Sequence, residues 1–160
     1  MPEWHEQYPD AVTAFKRESC FTLDYSFERI AHAAGQLGEQ HLWWRPYESA
    51  NAAGNILLHV AGNLQQWIVS GLGGEPDTRE RAAEFAQRQP IAGPKLLDDL
   101  RATIDRSKQA ILDTSPEELL RPRYVQVATV TGYGAVYHAV AHFEGHAQEV
   151  IYIARLRLGE

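Results

Sequence analysis

Apolar residues along this chain recur mostly at helical spacing. Phe15, Leu23, Phe27, Ile30, Ala34 and Leu37 follow one another at intervals of eight, four, three, four and three, which builds one stripe on a helix starting near Asp10. Residues 1–9 read as an irregular lead-in. Gly35 and Gly38 weaken the end of this first helix. Pro46 then blocks continuation through HLWWRPYESAN, with Ser49 or Asn51 available to cap the next helix. A second helix is predicted from about Ala52 to Leu72. Its stripe is Leu57, Val60, Ala61, Leu64, Trp67 and Ile68, and Gly71, Gly73, Gly74 and Pro76 end it.

DTRERAAEFAQRQ reads as a short connecting helix with Asp77 as its cap. Pro90, Gly93 and Pro94 separate it from a third long helix, Lys95 to Leu112, whose stripe is Leu96, Leu97, Leu100, Ile104 and Ile111. Ser115 and Glu118 have capping-box spacing for a single turn. Tyr124 to Thr131 is β-branched and alternating, which predicts a short extended piece. Gly132 and Gly134 open a fourth long helix, Ala135 to Leu158. The expected fold is therefore all-α: a four-helix bundle with a long crossover between its second and third helices. A length of 160 residues suits one domain spanning 1–160.

Composition narrows the partners. With 15 basic and 21 acidic side chains the net charge is −6, and no dense Lys/Arg cluster appears. A nucleic-acid binder or a protein of anionic membrane surfaces would need a basic face. No segment approaches the length of an apolar membrane span. Cys20 is the one cysteine, so no internal disulfide forms. These features, and the acidic amino end MPEWHEQYPD, lead us to expect a cytoplasmic protein. Cys20 lies between Ser19 and Phe21 without an evident base and reads as structural.

The chemistry lies in the histidines. His138, His142 and His146 follow at intervals of four on the fourth helix. Neighbours at that spacing lie about 40° apart around the axis and can share a metal ion. His138 and His146 are about 12 Å apart along the axis, so only one pair can do so, and His142 belongs to both pairs. His142 and His146 flank the apolar face of Val136, Val140, Phe143, Ala147, Val150 and Ala154. Glu149 falls on the same edge, as a candidate fourth ligand or as a group that orients an imidazole. On the second helix His59, Asn63 and Gln66 form a narrow polar stripe beside the core face. If the two edges meet, three imidazoles converge on one divalent ion with a position left open. Imidazoles suit zinc, nickel, iron or copper, and zinc or nickel is the expectation. A ferritin-like di-iron site needs Glu-x-x-His pairs on two helices, and Glu144 and Glu149 do not supply that spacing. His5, His32 and His41 show no partner pattern. Arg79 and Arg81 read as a solvated face able to meet a carboxylate, and Trp43, Trp44 and Trp67 as packing residues.

NILLHVAGNLQQWIVSGLGG, DTRERAAEF, HAVAHFEGHAQEVIYIARL and the WWRP element at Trp43 to Pro46 together resemble the DinB-like superfamily, the group of damage-inducible and YfiT-like proteins. The resemblance spans about Leu42 to Leu158. It implies an up-down-down-up four-helix bundle, commonly a homodimer. It also implies a divalent metal held by His59, His142 and His146, with His138 outside the set. Characterised relatives include transferases that use a low-molecular-weight thiol. The implied activity is a metal-dependent S-transferase acting on a small-molecule substrate, or a hydrolase activating water. Asn63 and Gln66 are candidates to bind the thiol or water. The alternative is a non-catalytic metal- or ligand-binding dimeric stress-response module. One departure stands out. The stretch after the last histidine is often H-x-G-Q-I in the family and is His146-Ala147-Gln148-Glu149-Val150 here. It changes what surrounds the ligands more than the ligands themselves.

Overall fold

A computed structural model describes residues 7–159. The expected lead-in and His5 thus lie largely outside the described residues. Helix α1 spans Ala11–His41. Asp10 caps it, its carboxylate accepting from the Thr13 N–H at 2.8 Å. The backbone leaves helical geometry at Gly38 (φ 60°, ψ 178°), a conformation glycine adopts without a Cβ penalty. Helix α2 spans Ala53–Leu64 and continues as a π-helical turn, Gln65–Ser70. Neither Ser49 nor Asn51 caps α2. The Asn55 side chain reaches back to accept from the Ala52 N–H at 3.1 Å, because that amide is already buried.

The connecting helix α3 is Arg81–Ala86, shorter than expected and not capped by Asp77. Asp77 instead accepts from the Arg79 N–H at 3.0 Å and from the Gln66 side chain at 2.7 Å. Helices α4 (Gly93–Asp113) and α5 (Pro116–Leu120) follow, the latter capped by Ser115 as its spacing predicts. The extended piece is a hairpin. Its strands β1 (Pro122–Val125) and β2 (Ala128–Thr131) pair antiparallel, with Val125 opposite Ala128. Thr131 then caps the last helix, α6 (Gly132–Leu158).

The four long helices run up, down, down, up. Lys16 of α1 donates to the carbonyls of Leu112 and Thr114 at the end of α4, and Glu39 accepts from Gly93 at its start, so these two are antiparallel. Phe15 meets Tyr133, so α1 and α6 rise together. The indole N–H of Trp43, before α2, donates to Ile91, before α4, and Gly73, past the π turn, lies against Ala110. Helices α2 and α4 are therefore parallel neighbours, and the crossover carrying α3 must return the chain along the bundle.

The predicted stripes supply the core. Leu23, Ile30, Leu57, Val60, Leu64, Leu100, Ile104, Phe143 and Val150 are all essentially inaccessible. Each such side chain contributes about 1.5–3 kcal/mol of burial free energy. Two glycines permit close approaches. A Cβ on Gly54 would sit 2.6 Å from the Trp43 ring, and one on Gly132 would sit 2.8 Å from the Leu119 backbone. No helix among the described residues is long and apolar enough to cross a membrane.

Candidate metal centre

His59 projects from the middle of α2, and His142 and His146 project one turn apart from α6. The edges predicted to meet do meet. One ligating atom from each of the three residues lies within 4.8 Å of the others. His59 Nε2 and His142 Nε2 are 3.0 Å apart. The rings of His59 and His146 are edge-to-face at 5.0 Å, and those of His142 and His146 at 4.4 Å. His59 is buried, whereas His142 and His146 are half-exposed, so the centre opens to solvent on the α6 side.

Two carboxylates orient the imidazoles. Glu84 of α3 accepts from His59 Nδ1 at 2.8 Å, and Glu149 accepts from His146 Nδ1 at 2.7 Å. An ionised carboxylate can only accept, so each bond keeps a proton on Nδ1 and leaves an Nε2 lone pair. Glu149 thus buttresses His146 in this arrangement. Burial pushes the Glu84 carboxyl upward. The hydrogen bonds from His59 and Arg79, with the charge of Arg79, outweigh it and hold the group below its usual range. Glu149 is lowered first by its bond to His146, against a smaller opposing effect of burial.

Arg79 is the main correction to the sequence reading. Its side chain is 2% exposed and far from a solvated face. It grips Glu84 with two bonds, Nε to Oε1 at 2.7 Å and Nη2 to Oε2 at 3.0 Å. Its Nη1 donates to Gln66 Oε1 at 3.0 Å. Both ends of the Gln66 amide are therefore engaged by the connector, since its Nε2 holds Asp77. Arg81 does stay exposed, over the Phe85 ring. Gly62, three residues past His59, makes this packing possible. A Cβ there would collide with Glu84 and approach Arg79 Nε to 3.0 Å. A glycine inside an otherwise helical stripe was the one sequence signal for this approach. Nothing in the periodicity marks Glu84 itself, because a short connector has no repeating face.

His138 stays outside the triad, as the resemblance implies. It is exposed and leans against Trp67, ring centroids 3.9 Å apart and planes tilted by 33°, with His142 stacked beyond it at 5.5 Å. Trp67 is a core residue that also supports this stack, and its indole N–H reaches the Gln126 side chain at 3.3 Å. Trp43 is buried and Trp44 packs against the core. Burial, followed by the charges of His146, His59 and His138, pushes His142 down to about 4.

These residues suit a divalent cation on their own chemistry. Two facing Nε2 atoms at 3.0 Å repel unless a proton or a cation lies between them. Ligand bonds of about 2.0–2.1 Å to a tetrahedral ion place neighbouring nitrogens about 3.4 Å apart, which lies between the 3.0 Å of the His59–His142 pair and the 4.8 Å that bounds all three. The oriented tautomers and the two carboxylates behind them are the usual support of histidine ligands.

Fold and centre together define a DinB-like four-helix bundle bearing a three-histidine group that can hold a metal ion. The chain belongs to the family described as "Protein of unknown function (DUF1572)", whose model matches residues 11–159. Its fold is shared by a conserved protein of Enterococcus faecalis, with a TM-score of 0.72, 18% identity, and 90% of this chain and 97% of that one covered. A DinB-like protein of Bacillus subtilis, YjoA, superposes with a TM-score of 0.65 at 15% identity, covering 89% and 93%. A Streptococcus pneumoniae protein gives 0.65 at 16% identity, covering 92% and 91%. No curated protein matches this chain in sequence.

Proposed function

We propose that this chain is a metal-dependent enzyme that activates a small nucleophile, a low-molecular-weight thiol or water, at a divalent ion held by His59, His142 and His146. The observation carrying the proposal is the convergence of three imidazoles from two helices, two of them fixed by carboxylates, on a face open to solvent. When bound, the ion supplies Lewis acidity that draws a thiol pKa down from about 8.5, or that of water down from its bulk value.

The chain's own residues do the rest. Glu84 and Glu149 hold the Nδ1 protons and keep the lone pairs of His59 and His146 turned toward the centre. Arg79 holds Glu84 by both oxygens and balances its charge. Phe85 covers the His59 ring at 4.7 Å, and the Trp67–His138 stack flanks His142, so solvent and substrate are confined to the remaining side. Cys20 is remote in chemistry, buried with its thiol pushed up to about 11, first by burial. The nucleophile in this proposal is therefore an external one.

The test has two stages. Metal content is measured in the wild-type protein and in His59→Ala and His142→Ala; stoichiometric metal retained by both variants would reject the centre. Loaded wild-type protein is then mixed with glutathione, mycothiol or bacillithiol and a chromogenic electrophile. A rate above that of thiol alone supports transfer. No such rate with any thiol, and no hydrolysis of activated esters, leaves a metal-binding module and sinks the enzyme.

A further inference from the structure

Two asparagines on α2 are both buried, and they differ sharply in how their amides are satisfied. Asn55 is inaccessible and fully engaged. Its Oδ1 accepts from Arg45 at 2.8 Å and from the Ala52 N–H, and its Nδ2 donates to the carbonyls of Glu84 and Gln87. Asn63 is 4% exposed, and its Oδ1 is buried with no partner. A buried carbonyl-type oxygen left without a donor costs about 1–3 kcal/mol, which is why such atoms are ordinarily paired. The other unpaired buried polar atoms among the described residues are the Ser26 hydroxyl and the Nε atoms of Arg45, Arg123 and Arg157. Asn63 is the only amide among them.

Its position says where the missing donor belongs. Asn63 is one turn past His59 and four residues before Trp67, on the face that α2 turns to α6. His59 touches His142 and His146 across that interface, with ring centroids 5.1 and 5.0 Å away. Trp67 touches His138. Asn63 is thereby bracketed on α2, between the histidine centre on one side and the Trp67–His138 stack on the other.

We infer that Asn63 is the residue that reads the ligand of this centre: its Oδ1 accepts a hydrogen bond from an O–H or N–H that the ligand carries beside its metal-binding atom. This deepens the function proposed above and rests on it. The required chemistry has two sources. Water carries the donor on the binding atom itself. A cysteine-type thiol carries an amide N–H two carbons from its sulfur. A thiol with no donor near the sulfur leaves Asn63 unpaired and binds less well.

A matched pair of thiols tests this. N-acetylcysteamine and 2-mercaptoethyl acetate differ only in an N–H replaced by an ester oxygen. Binding of each to zinc-loaded protein is followed by calorimetry, in the wild type and in Asn63→Leu and Asn63→Asp. Wild type should prefer the amide roughly tenfold, the size of one hydrogen bond to a buried acceptor. Asn63→Asp, which keeps an acceptor, should retain the preference, and Asn63→Leu should abolish it. If neither thiol binds, wild type should still bind zinc several-fold more tightly than Asn63→Leu, because water then satisfies the amide. Equal binding of the two thiols by wild type, or no binding of either together with unchanged zinc affinity in Asn63→Leu, overturns the assignment. Failure of the wild type to bind zinc at all is a different result, and it removes the metal centre itself. Should Asn63→Leu not fold, the wild-type comparison of the two thiols decides alone.

Discussion

The Glu84 carboxylate and the His59 imidazole meet at 2.8 Å although they come from different helices, one of them only six residues long. This bond ties the crossover to the metal centre. It fixes the tautomer of the most buried ligand, and Arg79 in turn fixes the carboxylate. Glu84→Gln keeps the shape but lets the amide offer an N–H to Nδ1. Metal affinity should fall about 10- to 100-fold, as it does when the outer partner of a histidine ligand is lost. Competition with a chromophoric chelator measures it. Gly62→Ala should act in the same direction by displacing Glu84, without touching any charge.

Acidification should loosen the metal-free protein. His142 titrates near 6.5 when unfolded and near 4 when folded. Between those values the unfolded chain binds more protons, so unfolding becomes easier as pH falls. Stability from this group is present in full above about pH 6.5 and is lost progressively toward pH 4. Thermal melts at pH 7, 6 and 5 should descend. His142→Gln should descend less steeply, and equal slopes would contradict the shift.

Cys20 should be silent toward thiol reagents in the native state. It is 6% exposed, and burial raises its pKa to about 11, so little thiolate exists at neutral pH. Ellman's reagent should titrate it only after denaturant is added. Rapid labelling of the folded protein at pH 7.5 would refute this.

Gly132→Ala should destabilise the junction of α5 and α6. The added methyl would meet the Leu119 backbone at 2.8 Å, which cannot rotate away. A cost of about 1–3 kcal/mol is typical of such overpacking. It should appear as a melting temperature lower by several degrees, with metal binding preserved because the contact lies at the first residue of α6, about 15 Å along the axis before His142 and about 21 Å before His146.

Helical periodicity by itself determined the four long helices, their buried faces and the edge on which His59, His142 and His146 lie. It could do so because a helix repeats every 3.6 residues, and a stripe sustained over several turns records its own orientation. The family resemblance supplied the order of the helices and the choice of ligands from four histidines. The tertiary structure alone decided what surrounds those ligands. Arg79 and Glu84 belong to a crossover too short to display a face, so their burial depends on where the bundle lets α3 settle against Gly62. The engagement of Gln66, the stacking of His138 on Trp67 and the unpaired oxygen of Asn63 likewise arise from contacts between segments distant in sequence. Local spacing fixes which way a side chain leaves its own helix. It carries no information about what another segment brings to meet it.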